Sequence, residues 1–300
     1  MPKLSAHQAQ LPIILIHGGA GPVDKNPGRR ERCRTFLRHV LDMVWPQLVT
    51  GQSAVDAVTE AVRLLESSNL FNAGYGASLQ QDGLARLSAS LMDGRRQKFS
   101  GVLLATHVNH PSRLAYALQE RSESVLGPLG VQLLARELGI PPESPVTVER
   151  ARRWVRCLAK SEPPERQGTV GAVALDLKGH LAAATSTGGG KFNFPERVSD
   201  SATVGGNYAS EFAAIGCTGI GEEIVDDGLA VRLETRVRDG LGLIEASDRV
   251  YAEALARKRR YGWIGIDRTG GWVMYWTTKG MDCDGRSADI NTSVFEKASN

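Results

Sequence analysis

Scarcities narrow this 300-residue chain before any motif does. It holds only four cysteines, Cys33, Cys157, Cys217 and Cys283. They lie far apart without Cys-x-x-Cys pairing, which disfavours a disulfide scaffold or a thiolate metal site and fits reduced thiols. Neither sign of charge is in excess, since 36 Lys and Arg face 33 Asp and Glu. The basic runs Arg95-Arg96-Gln97-Lys98 and Arg257-Lys258-Arg259-Arg260 are short and read as solvated surface, so no nucleic-acid partner is expected. The first twelve residues include Lys3, Ser5, His7 and Gln8 and no apolar stretch of signal-peptide length. Pro12 to Ile16 is too short for such a stretch or for a membrane span. The expectation is a cytoplasmic protein without a membrane partner. No internal repeat or low-complexity segment is visible. Against these absences, 42% hydrophobic residues suffice for a large buried core, in one large domain or two ordinary ones.

The informative stretch is Gln167-Gly168-Thr169-Val170-Gly171-Ala172-Val173-Ala174-Leu175-Asp176. Before it, Ser161-Glu162-Pro163-Pro164-Glu165-Arg166 reads as an exposed linker, charged and with two prolines. After it comes an apolar β-type run with the spacing of a fully buried strand. A cleavable segment thus leads straight into a core strand, and self-cleavage between Gly168 and Thr169 is expected. A threonine hydroxyl is a weak nucleophile and needs a base; at a chain start its own α-amine supplies one. That amine has a pKa of roughly 7.7–8.0, so about a tenth to a sixth of it is neutral at pH 7. Before cleavage the same hydroxyl can attack the carbonyl of Gly168, a residue that tolerates conformations closed to others. The plain alternative is that Gly-Thr-Val is merely a strand start.

Around this junction the pattern alternates strands and helices. Leu11 to Ile16 reads as a buried strand entering a glycine turn, His17-Gly18-Gly19-Ala20-Gly21, with His17 as a satisfied structural histidine. Glu31 to Val49 and Ser53 to Ser67 carry helical spacing, Ser53 serving as N-cap with Asp56 three residues on. Leu84 to Met92 and Val102 to Thr106 read as strands turned by Asp93-Gly94. Pro111 to Leu118, Leu126 to Leu138 and Val146 to Leu158 are helical candidates. Val170 to Leu177 and His180 to Thr185 form a hairpin at Lys178-Gly179. Glu222 to Leu233 and Leu243 to Ala256 read as helices, and Trp263 to Asp267 with Gly271 to Thr277 as a last hairpin. From Cys283 to Asn300 no periodicity appears. Arg197 and Asp200 suit an amino-acid head group, guanidinium against α-carboxylate and carboxylate against α-ammonium. An exposed ion pair three residues apart fits them equally well.

Several blocks together resemble one family. They are Gly168-Thr169-Val170-Gly171-Ala172-Val173-Ala174-Leu175-Asp176, Ala183-Ala184-Thr185-Ser186-Thr187-Gly188-Gly189, Arg197-Val198-x-Asp200-Ser201 and Cys217-Thr218-Gly219-x-Gly221-Glu222. In the amino half His17-Gly18-Gly19-Ala20-Gly21 and Asn72-Ala73-Gly74-x-Gly76 match too. They resemble the plant-type asparaginase and isoaspartyl peptidase family of threonine N-terminal nucleophile hydrolases, in family order from about residue 12 to about residue 285.

The resemblance implies an α+β fold, the four-layer αββα sandwich of helices, two sheets and helices. It implies a single catalytic domain, residues 1–300, cut into subunits 1–168 and 169–300 and pairing as a homodimer of cleaved protomers. It implies hydrolysis of L-asparagine and of β-aspartyl dipeptides, small-molecule substrates, through an acyl-enzyme on Thr169. Thr187 would hydrogen-bond the Thr169 amine or hydroxyl; Thr218 and Gly219 would form the oxyanion hole, with help from Asn72. Arg197, Asp200 and Gly221 would hold the substrate's α-groups, alongside Thr218 and Gly219. No cofactor is required. A structural sodium ion would sit among the backbone carbonyls of Leu65, Glu66, Ser68, Phe71, Ala73 and Tyr75, the alternative being a tight loop without metal. Where many relatives carry aspartate this chain has Ser88, which bears on packing near a sheet edge. Ile220 stands where Thr is common, and Lys279 where some relatives have Glu. A glycosylasparaginase-like hydrolase, a taspase-like endopeptidase and an uncleaved, inactive binding protein are the competing readings.

Overall fold

Strands whose two faces are both apolar must be covered on both sides, and the architecture follows from that requirement. The computed structural model describes residues 3–160 and 168–287. The expected linker, Ser161 to Arg166, and the tail beyond 287 lie outside the described residues. In chain order the strands and helices are β1 (Lys3–Ala6), β2 (Ile13–Gly21), α1 (Pro27–Val49), α2 (Ala54–Ser67), β3 (Leu87–Asp93), β4 (Lys98–Ala105), α3 (Pro111–Ala117), β5 (Val125–Leu126), α4 (Pro128–Glu137) and α5 (Val148–Lys160). The second half follows with β6 (Val170–Leu175), β7 (Leu181–Thr187), β8 (Asn207–Ala209), β9 (Ala213–Gly219), α6 (Gly221–Asp227), α7 (Leu229–Arg238), α8 (Leu243–Ala256), β10 (Tyr261–Asp267), β11 (Trp272–Trp276) and β12 (Gly280–Ser287).

Two sheets form, ordered β12-β2-β6-β7-β3-β4-β5 and β1-β11-β10-β9-β8. Alternation along each strand assigns the layers. Ile14, Ile16, Ala172 and Ala174 face α1 and α2, whereas Ile13, Leu15, Val173 and Leu175 meet Ile264, Ile266 and Met274 of the other sheet. On that sheet's far side Tyr261, Trp263 and Val273 pack under α6, α7 and α8. The expected αββα sandwich is therefore present, with α3 and α4 covering β3 and β4.

Local signals account for many boundaries. The Ser53 hydroxyl accepts the Asp56 N–H at 3.1 Å and donates to its carboxylate at 2.7 Å, capping α2 as expected. At the β6–β7 turn the Asp176 carboxylate accepts from the N–H groups of Lys178 (2.9 Å), His180 (3.0 Å) and, across the layers, Ala54 (3.1 Å). Gly179 takes φ +77° there.

Other boundaries differ from the pattern reading. The His17–Gly21 block does not turn; it continues β2, with His17 between β6 and β12 and Gly19 to Gly21 paired to β12. Helix α1 starts at Pro27 because Asn26 caps it. Strand β4 starts at Lys98, four residues before the apolar run. The expected helix from Glu222 to Leu233 is two helices, broken at Gly228 with φ +53°. The stretch without periodicity supplies, from Cys283 to Ser287, the later part of β12, a sheet edge antiparallel to β2. Ser88 lies on β3, an internal strand between β7 and β4, and its hydroxyl accepts the Leu104 N–H at 3.2 Å.

Candidate active site

Strands β6, β7 and β9 bring Thr169, Thr187 and Thr218 together. Thr169 sits one residue before β6 and is only 4% exposed. Thr218, the penultimate residue of β9 in the facing sheet, reaches it directly. The Thr169 N–H donates to the Thr218 hydroxyl at 3.1 Å, and that hydroxyl donates to the Thr169 carbonyl at 3.2 Å. The Ala20 N–H also donates to the Thr218 oxygen at 3.2 Å. One hydroxyl offers one proton and two lone pairs, so the capacity of Thr218 is filled. The Thr169 hydroxyl lies 3.0 Å from the Ser201 hydroxyl.

Gly168 shows why this junction needs glycine. A Cβ there would fall 2.4 Å from the Gly19 Cα and 2.7 Å from the Ala20 nitrogen. The β2 backbone thus runs hard against the residue expected to lose its bond to Thr169. His17 lies beneath, fully buried, and is not the satisfied histidine expected. Neither ring nitrogen has a hydrogen-bond partner of normal geometry. Burial drives its pKa down to about 3, partly offset by the Thr169 backbone, so it is neutral at pH 7 and a poor base.

A cavity of only about 10 Å³ adjoins Thr169, lined also by Thr187, Arg197, Asp200, Gly219 and Gly221. That is room for about one water. Asp200 is 3% exposed; burial pushes its carboxyl up to about 6 against the opposing pull of Arg197. Its Oδ2 accepts no hydrogen bond among the described residues. Arg197 pairs not with Asp200 but with Glu222, its Nε and Nη2 each 2.9 Å from one carboxylate oxygen. Gly221 opens the space between them. A Cβ there would lie 2.6 Å from both the Arg197 Nη2 and the Asp200 Oδ1. The seven-residue α6 begins at Gly221.

Two expected residues are placed differently. The Thr187 hydroxyl lines the cavity but accepts the Gly189 N–H at 3.1 Å, while Ser201 is the side chain beside the Thr169 hydroxyl. Ser201 stood inside the Arg197–Ser201 block, yet serine is so common in turns that its type alone assigned it no role. Asn72 braces the neighbouring turn. Its amide donates to the Gly189 carbonyl and accepts the Ser78 N–H at 2.8 Å. It lines a second cavity, on the Gly168 side, of about 530 Å³.

In the 65–75 loop, carbonyl oxygens crowd two glycines. A Cβ on Gly74 would lie 2.2 Å from the Glu66 carbonyl oxygen, and one on Gly76 would lie 2.0 Å from that of Phe71 and 3.3 Å from that of Ser68. Leu65 and Ala73 accept N–H groups of the same loop, from Ser68 and Gly76, and Phe71 accepts from Arg150 at 3.3 Å. Tyr75 is largely exposed. Such an all-oxygen set fits a hard cation. Among the described residues no cluster of three His, Cys, Asp or Glu could hold a metal.

A four-layer αββα sandwich with a buried threonine heading a central strand defines the N-terminal nucleophile hydrolase class. The chain belongs, within it, to the asparaginase family, whose profile matches residues 10–295. It is similar to the isoaspartyl peptidase/L-asparaginase of Nostoc sp., 42% identical over 289 residues that cover 91% of this chain and 89% of the relative. An isoaspartyl peptidase of Salmonella typhimurium is 37% identical over 292 residues, covering 90% and 93%. The human isoaspartyl peptidase/L-asparaginase is 35% identical over 283 residues, covering 90% and 91%.

Proposed function

We propose that this chain cuts itself between Gly168 and Thr169 and then hydrolyses L-asparagine and β-aspartyl dipeptides. The observation that carries the reading is the pair of bonds from the Thr218 hydroxyl to both the amide and the carbonyl of Thr169. They hold the junction rigidly while the Thr169 hydroxyl stays beside Ser201. In the first reaction the Thr169 oxygen attacks the Gly168 carbonyl carbon. The peptide C–N bond breaks as an ester forms, and water opens the ester to free the Gly168 carboxylate and the Thr169 amine.

In the second reaction that amine accepts the proton of its own hydroxyl, and the oxygen attacks the side-chain carbonyl carbon of the substrate. Thr218, its hydroxyl turning from the Thr169 carbonyl to the substrate, and the Gly219 N–H stabilise the oxyanion, a contribution that typically reaches hundreds-fold per donor. Arg197 binds the α-carboxylate, exchanging it for Glu222, and the ionised Asp200 binds the α-ammonium beside Gly221. Ammonia or an amino acid leaves with a proton, and water releases aspartate from Thr169. Thr187 supports the turn at Gly189, and Asn72 acts on the reaction by bracing the same turn.

The carbonyls of Glu66, Ser68 and Phe71, with those of Leu65, Ala73 and Tyr75, would hold a structural sodium ion. The family resemblance supports a homodimer of cleaved protomers in the cytoplasm. Among the described residues no helix is long and apolar enough to cross a membrane.

The test is mass spectrometry of purified protein before and after incubation, paired with asparagine and β-Asp-Leu assays. Fragments 1–168 and 169–300 together with aspartate release are expected. An intact chain that turns over substrate would refute the assignment, and an intact chain without activity would favour the uncleaved binding protein.

A further inference from the structure

The two cavities meet at one peptide bond, and the larger is unlike the smaller. It is lined by Gly168, by Gly18 to Gly21 and by Asn72, and it widens between α1 and the start of β12. Six cationic side chains border it, those of Arg29, Arg30, Arg34, Arg150, Arg153 and Lys279, against only Asp24 and Asp282. Asp24 is held by Arg29 at 3.1 Å. Burial pushes the Asp282 carboxyl up against the opposing pull of Arg29. Burial and the positive neighbours Arg153 and Arg29 bring Arg150 down to about 10, still cationic at pH 7. Arg30 and Lys279 are exposed, and their side chains make no ion pair or hydrogen bond among the described residues. Arg30 and Lys279 therefore leave positive charge at the rim that no described ion pair takes up.

Reaction geometry says what that charge meets. The carbon attacked by Thr169 bears three groups besides the incoming oxygen. Its methylene leads to the α-groups held by Arg197 and Asp200, and its oxygen faces Thr218 and Gly219. Its leaving nitrogen points away from the anchored part, toward the other cavity. We propose that the cationic cleft is the leaving-group subsite and that it selects β-aspartyl dipeptides whose leaving residue is acidic. The α-carboxylate common to every dipeptide and the extra carboxylate of a leaving Glu or Asp both fall within reach of this field. A leaving Lys or Arg meets like charge.

This inference rests on the proposed function, and the experiment separates the two. The cleaved wild-type enzyme is assayed with L-asparagine, β-Asp-Glu and β-Asp-Lys, and kcat/KM for β-Asp-Glu is divided by that for β-Asp-Lys. A ratio of about ten is expected, the scale of two or three partly screened charge contacts. It should shrink as salt shortens the screening length from about 10 Å at 0.1 M toward about 3 Å at 1 M. The double variant Arg30→Glu/Lys279→Glu, at two exposed positions, should bring the ratio to about one or below. A wild-type ratio near one with all three substrates hydrolysed, or a ratio unmoved by the double variant, overturns the subsite alone. Hydrolysis of none of the three overturns the proposed function and this inference with it.

Discussion

Two cavities flank the Gly168–Thr169 bond, and they show two ways of recognising charge. The one against Thr169 is about 10 Å³ and buries an aspartate whose carboxyl is pushed up to about 6. The one against Gly168 is about 530 Å³ and has cations at an open rim. A buried charge without a full set of partners is costly, so the first is set up to demand one head group in one position. Screened charges at a rim cost little and discriminate weakly, so the second can only bias among leaving groups. On the proposed reading, chemistry and strict recognition belong to the Thr169 side, preference to the Gly168 side.

Substitutions should reproduce that division in descending order of effect. Thr169→Ala removes the nucleophile of both reactions. An uncut chain on a denaturing gel and a loss of at least about a thousandfold in activity are expected, in line with deletion of other catalytic nucleophiles. A cut, active variant would erase the distinction between the cavities. Thr218→Val is close in shape but leaves the Thr169 and Ala20 N–H groups unpaired. It should lower kcat by about 10²–10³ and slow self-cleavage, measured by turnover and by a gel time course.

Asp200→Asn keeps the shape and removes the charge. Loss of a charge-assisted bond of about 1.5–3 kcal/mol should raise KM about ten- to a hundredfold with a smaller change in kcat. The wild type should show the matching pH dependence. With the carboxyl raised to about 6, the ammonium-binding form is lost as pH falls through that value, so kcat/KM should drop on the acid side. The Asp200→Asn profile should lose the component near 6 and keep only the fall set by the Thr169 amine at roughly 7.7–8.0, and a component near 6 that persists would assign it to another group.

Asp176→Ala should have the smallest effect. It removes an acceptor shared by Ala54, Lys178 and His180, distant in role from either cavity. A loss of about 1–3 kcal/mol in stability is expected, seen as a lower Tm, with turnover retained below it. A comparable collapse of turnover in the still folded protein would show that recognition is not confined to the cavity beside Thr169.

Legibility in the sequence followed how local each cause was. The Ser53 cap, the Lys178-Gly179 hairpin and the buried run from Val170 depend on neighbours within a few residues, and all were readable. The path of His17 to Gly21 was not, because glycines signal a turn unless a partner strand holds them, and that partner is β12. Strand β12 gave no pattern because Gly285 and Ser287 stand where apolar residues would continue the alternation begun by Met281 and Cys283, whereas its pairing with β2 is backbone-made. The break at Gly228 was hidden in an otherwise helical pattern. At the site, Thr169, Thr218, Arg197 and Asp200 stood in recognisable blocks, yet the ion pair of Arg197 with Glu222 and the contact of Ser201 with Thr169 came only from folding.

Sequence alone determined that a threonine follows a glycine at the start of a core strand, since that depends only on residue types and their order. Tertiary structure alone decided which groups surround that threonine and how charge divides between the two sides of its peptide bond. The physical reason is that hydrogen bonds and fields depend on distance through space, and residues 20, 169, 201 and 218 become neighbours only when two sheets stack.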